Sequence, residues 1–97
     1  MLRHVVLFRW SESTSDVDVA AIADGLATLP GAIPEIRTYR FGRDVGINEG
    51  AYDFVVVADF ESVDGYLVYR DHPTHTAVLA ERIAPHVADR AFIQYEY

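Results

Sequence analysis

Residues 52–60, YDFVVVADF, are an almost unbroken apolar run, the pattern of a β-strand covered on both of its faces. A second segment, RHVVLFRW (3–10), makes the same demand by alternation. His4, Val6, Phe8 and Trp10 point to one side of that strand, and Val5 and Leu7 to the other. Two such strands commit the chain to a sheet that cannot leave either face in water.

The remaining segments say how the first face is covered. Ser15 opens a helix in a capping-box-like arrangement with Asp18. Val19, Ile22, Leu26 and Leu29 follow at helical spacing, and Pro30-Gly31 is expected to stop it. AIPEIRTYRFG (32–42) alternates Ile36, Thr38 and Arg40 against Arg37, Tyr39 and Phe41, and reads as a strand. VGINEG is a glycine-bounded turn. Ser62 caps a short helix, Val63 to Tyr69, and Pro73 suits the first turn of another that runs to about Pro85. AFIQYEY (91–97) closes as a strand. The order β-α-β-β-α-β predicts one ferredoxin-like α+β domain over 1–97, a four-stranded antiparallel sheet with its helices on one face.

The other face would carry Val5, Leu7 and alternate residues of FVVVADF and AFIQYEY. Monomers rarely expose apolar patches beyond a few hundred Å². At about 25 cal/mol per Å² the gain from covering this one is large. A second copy, sheet against sheet about a two-fold axis, is the natural cover, so a homodimer through the sheet face is expected.

Composition narrows the function. At 51% apolar and 24% charged residues, the 97-residue chain has the make-up of a soluble globular domain. Fifteen acidic side chains against eight arginines and no lysine leave a net charge of −7. That balance argues against nucleic acid and anionic membranes as partners, both of which need clustered basic groups. With no cysteine there is no disulfide, thiolate metal site or thiol nucleophile. MLRHVVLFRW has no signal-peptide pattern, and no stretch nears the roughly 20 apolar residues of a membrane span. A cytoplasmic location is expected.

The chemistry-bearing segment is YRDHPTHTAVLAER (69–82), with two histidines around a proline before an apolar helical run. His72 and His75 have an i, i+3 ligand spacing, but two imidazoles are too few for a tight zinc site. The glycines form no phosphate cradle, so neither metal nor cofactor is expected. Tyr69 and His75 are six apart and would face different ways on an unbroken helix. Pro73 breaks that register and lets them converge. His75 sits in the first turn of its helix, where the positive dipole end favours neutral imidazole. It also lies at one edge of the arc of Leu79, Ile83 and Val87, turned toward the sheet. Purely structural readings stand beside these. His72 serves as a helix-start residue, His75 and His4 as buried hydrogen-bonded histidines, Tyr69 as a core aromatic, and His86 as a helix C-terminal charge.

HVVLFRW, LPGAI, YRFGRDVG, YDFVVVADFESVDGYLVYRDHPTH and DRAFIQYEY together resemble the stress-responsive A/B barrel domain family. The likeness spans the whole chain, with HPTH its most specific element. It implies a small dimeric α+β barrel. It also implies kinship with a cofactor-free plant polyketide cyclase that makes olivetolic acid by aldol condensation of a linear tetraketide. By that resemblance Tyr69 and His75 are the catalytic pair, His4 is a first-strand pocket residue, and Phe54 replaces a third-strand pocket histidine. His72 joins them as a binding residue. An imidazole with a pKa near 6.5 suits removal of a proton α to a carbonyl, and a tyrosine hydroxyl suits the developing oxyanion. Three readings follow: a cyclase-like enzyme acting on a small carbonyl-bearing or aromatic molecule, a non-catalytic stress-associated ligand-binding dimer, and a cofactor-free monooxygenase.

Overall fold

The four strands lie antiparallel in the order β2-β3-β1-β4, with β1 over Leu2–Trp10, β2 over Thr38–Arg43, β3 over Phe54–Phe60 and β4 over Val87–Glu96. The computed structural model describes all 97 residues. The helices are α1 (Asp16–Ala27), α2 (Leu29–Ala32), α3 (Val63–Asp71) and α4 (Pro73–Val78). This is the expected ferredoxin-like α+β fold, and none of its helices is long and apolar enough to cross a membrane.

Register sorts the side chains. His4 pairs with Ala58 and Gln94, Val6 with Val56 and Phe92, and Phe8 with Phe54 and Arg90. These residues share the face on which the helices pack. Val19, Ile22 and Leu26 of α1 are buried there, with Leu29, Ile33 and Phe60 wholly sealed. The opposite face presents Val5, Leu7, Val55, Val57 and Ile93, the last 61% exposed. At its margin the Arg3 guanidinium donates to both oxygens of Asp59 at 2.8 and 2.9 Å, and Thr38 Oγ1 donates to the same carboxylate at 2.7 Å. The guanidinium holds the Asp59 carboxyl down at about 2.

Three element boundaries differ from the sequence expectation. Pro30-Gly31 does not end the first helix. That helix stops at Ala27, and Pro30 sits at the start of α2, where its missing N–H is an orphan in any case. Residues 32–37 are therefore helix end and turn, with Ile33 plugged into the core, and β2 begins only at Thr38. The last strand starts at Val87 rather than 91. Asp89 and Arg90 read as loop, yet an edge strand has one flank in water and tolerates them.

The segment after α4 is not regular helix either. Leu79–Ile83 is a π turn, closed by the Ala84 N–H donating to the Leu79 carbonyl, and Ala84–His86 is a 3₁₀ turn. Pro85 explains the widening: it has no N–H to offer the carbonyl four residues back, and its ring crowds that carbonyl. Gly25 lets α1 approach this segment. A Cβ there would lie 2.6 Å from Arg82 Cδ and 3.3 Å from Val78 Cγ1.

Candidate functional site

Between the covered sheet face and the α3–α4 pair lies a cavity of about 220 Å³, whose walls are mostly apolar. Its polar groups arrive from β1, β2, β4 and the α3–α4 corner.

The corner is built by local sequence. Ser62 caps α3 by accepting from the Gly65 N–H, and the helix buries Tyr69 near its end. His72 then leaves helical geometry, and its Nδ1 accepts from the Thr74 N–H at 3.1 Å. Pro73 starts α4 at once. The break swings His75 back against Tyr69, with ring centroids 4.0 Å apart and planes 31° from parallel. Both side chains are buried, and both line the cavity.

Hydrogen bonds set the proton positions. His75 Nδ1 lies 3.0 Å from the Arg70 carbonyl oxygen, which can only accept, so Nδ1 carries the proton and Nε2 keeps its lone pair. No buried side-chain polar atom lacks a partner. Nε2 bonds to no protein group and is therefore not sealed from solvent. His4 is the mirror case. The Gln94 side-chain amide donates to His4 Nδ1 at 2.8 Å, so the His4 proton sits on Nε2. The cavity thus holds one imidazole that accepts and one that donates. The Tyr69 hydroxyl is 2.9 Å from that of Tyr39, and Tyr66 packs on His4 at 4.9 Å between centroids.

Burial keeps every one of these groups neutral. It pushes His4 down to about 4, with help from nearby His75. It also lowers His75, against the opposing pull of the Arg70 carbonyl. Burial raises Tyr69 to about 12, moderated by the hydrogen bond from Tyr39, and raises Tyr39 further still. A neutral base beside neutral hydroxyl donors is an arrangement for moving a proton without a resident charge. No three His, Cys, Asp or Glu side chains come together as a metal would need.

Of the five residues singled out from sequence, the structure gathers Tyr69, His75 and His4, and leaves two elsewhere. Phe54 is buried at the far end of the covered face, stacked on Phe41 at 6.2 Å and tilted against Trp10 at 5.7 Å. The strand residue that does reach the cavity is Val56, two positions on. His72 is spent as the cap of α4 and lies off the cavity, half-buried. His86 bonds to Thr14 Oγ1 at 3.1 Å and ties the 3₁₀ turn to the loop before α1. Sequence reasoning missed Tyr39, Tyr66 and Arg90 as lining residues. For Tyr39 the signal was present, since alternation puts it opposite Arg40 and so on the covered face.

Comparison with known proteins agrees with the fold. The family model of the stress responsive A/B barrel domain matches residues 2–97. A dimeric ferredoxin-like protein of unknown function from Thermobifida fusca is 46% identical with a TM-score of 0.92, covering 99% of this chain and 90% of that one. An uncharacterized protein of Streptomyces coelicolor is 28% identical over 82 residues, covering 82% of this chain and 84% of its own length. A hydroxynitrile lyase from Passiflora edulis shares the fold at a TM-score of 0.84 and 20% identity, covering 97% and 90% of the two chains. With a whole-length match to the family and a near-superposable relative, the chain belongs to the stress-responsive A/B barrel domain family.

Proposed function

We propose that the cavity binds a small carbonyl-bearing or aromatic molecule and that the protein acts on it as a cofactor-independent, aldol-type acid/base enzyme. The observation that carries this reading is the bond from His75 Nδ1 to the Arg70 carbonyl, which leaves Nε2 as an uncharged base on an imidazole packed against the Tyr69 ring. In the step envisaged, Nε2 takes a proton from the carbon α to a carbonyl. Tyr69 donates to the carbonyl oxygen as it becomes an enolate, and Tyr39 donates into Tyr69. The enolate carbon forms a bond to a second carbonyl of the same molecule, and the resulting alkoxide recovers the proton from the His75 imidazolium. His4 Nε2–H is a second donor to either oxygen. The fold likeness to a hydroxynitrile lyase is compatible with catalysis on a small molecule, and at 20% identity it carries the fold alone.

Incubation of the protein with linear poly-β-keto acids and their thioesters tests the reading. Cyclised product is expected from the wild type, and background levels from His75→Ala. Equal, background-level cyclisation by both would remove the activity. Ligand-induced NMR shifts at His4 and Tyr69 without turnover would then favour the non-catalytic binding dimer.

The dimer belongs to the same proposal. The uncovered face, with Val5, Leu7, Val55, Val57 and Ile93, supports pairing with a second copy, as does the dimeric state of the Thermobifida fusca relative. Light scattering should give twice the chain mass for the wild type and a monomer for Ile93→Asp. A monomeric wild type at micromolar concentration contradicts it.

A further inference from the structure

The eight arginines differ in what they hold. Arg3, Arg37, Arg43 and Arg70 are each paired to a carboxylate, and Arg9 and Arg82 donate to backbone carbonyls. Arg40 and Arg90 have no side-chain hydrogen bond. Arg40 pairs with Val57 and lies on the uncovered face. Arg90 pairs with Phe8 and so lies on the covered one, where it lines the cavity. Its side-chain partner is the ring of Phe92, two residues along β4, with the guanidinium carbon 5.6 Å from the centroid. Fifteen acidic side chains are available in this chain, so a guanidinium left without one at a cavity wall needs an explanation.

The position is polarised as well. His4, Tyr69 and His75 are buried, whereas Arg90 and Phe92 are exposed, Phe92 by 59%. The cavity therefore runs from a neutral, hydroxyl- and imidazole-lined interior to an outer end marked by a cation over an aromatic ring. Arg70, the other arginine of the lining, is neutralised by its two bonds to Asp71, at 2.9 and 3.0 Å. Arg90 is thus the single free positive charge facing a guest. A guanidinium fork matches a carboxylate in geometry and charge, and it matches neither an ester nor an amide.

We propose that the guest carries a carboxylate held by Arg90 at the outer end of the cavity, its carbonyl or ring reaching inward to Tyr69 and His75. Arg90 is then a specificity-determining residue, and the substrate class narrows to small keto acids or aromatic acids. This rests on the cavity reading above. Phe92 covers the apolar part of the guest and holds the guanidinium in place. An inward-pointing charge on an edge strand also discourages strand-to-strand association, and that structural role makes no distinction between an acid and its ester.

The test is a binding comparison by NMR titration, with 3-benzoylpropionate and its methyl ester as probes, against wild type, Arg90→Gln and Arg90→Lys. The wild type should bind the acid about tenfold more tightly than the ester. Arg90→Gln should bind both alike with an unchanged melting temperature, since the side chain is exposed, and Arg90→Lys should keep part of the preference. Acid and ester bound equally by the wild type overturn the Arg90 assignment and leave the cavity reading standing. So does a preference that survives in Arg90→Gln. Binding of neither probe overturns both.

Discussion

The covered face of the sheet has two ends that use the same strands to opposite effect. At one end Phe8 stacks on Trp10 at 5.3 Å with planes 9° apart, and Phe41 and Phe54 complete a solid aromatic block. At the other end the aromatics carry polar tips, His4, Tyr39, Tyr66 and Tyr69, and the helices leave a hollow. Hydrocarbon rings can close-pack from any direction. A hydroxyl or ring nitrogen must keep a partner, and this holds rings in fixed poses that do not collapse into the space. The cavity lies where hydrogen bonds hold the rings of His4, Tyr39, Tyr69 and His75 in place.

Substitutions can break or sharpen that contrast. Phe54→Ala should cost about 3–5 kcal/mol in chemical denaturation, because the packed end has no room to relax. A loss below about 1 kcal/mol would show that end to be as loose as the other. His75→Ala should leave a folded protein by circular dichroism while turnover falls about 100-fold or more, the contribution of a positioned base. If turnover is unaffected, the hollow end is a void and not a site.

Acid should attack the two ends unequally. His4 has a folded pKa of about 4, below its unfolded value of about 6.5, so the unfolded chain binds more protons between those values. Stability is full above about pH 6.5 and declines toward pH 4, by about 2–3 kcal/mol from His4. Urea midpoints across that window should fall for the wild type and flatten for His4→Gln, while Phe54→Ala keeps the wild-type slope. Asp59, on the other face, loses its contribution only as pH drops from its ordinary range toward about 2. The smallest effect belongs to Tyr39→Phe. It removes the hydroxyl partner of Tyr69, should cost about 1 kcal/mol of stability, and should reduce turnover less than His75→Ala does. Unchanged turnover would take Tyr39 out of the relay.

The strands and their faces were legible because a period of two survives any change of neighbour, and Val5/Leu7 against His4/Val6/Phe8 assigns sides without help. The meeting of Tyr69 and His75 was legible through Pro73, whose effect on register is local. Tyr39 was placed on the right face but not in the site, since its hydroxyl partner comes from 30 residues away. Phe54 was misplaced because position along a strand, unlike side, depends on where the helices stop covering it. The π turn was hidden for a related reason: Pro85 announces that regular helix must fail, without saying how many residues upstream the backbone will adjust.

That turn also bears on how such a protein changes over generations. A five-residue loop of backbone around Leu79–Ile83 accommodates one residue more than a regular coil would. Deleting a single codon there would take up the surplus residue and leave the flanking backbone in register, because the wide turn is where that residue is absorbed. Leu79 and Ile83, which line the chamber, would shift locally, and its bore would alter while Tyr69, His75 and β4 keep their places. A change of length at this turn is then a coarser control over the girth of a guest than any point substitution in the wall.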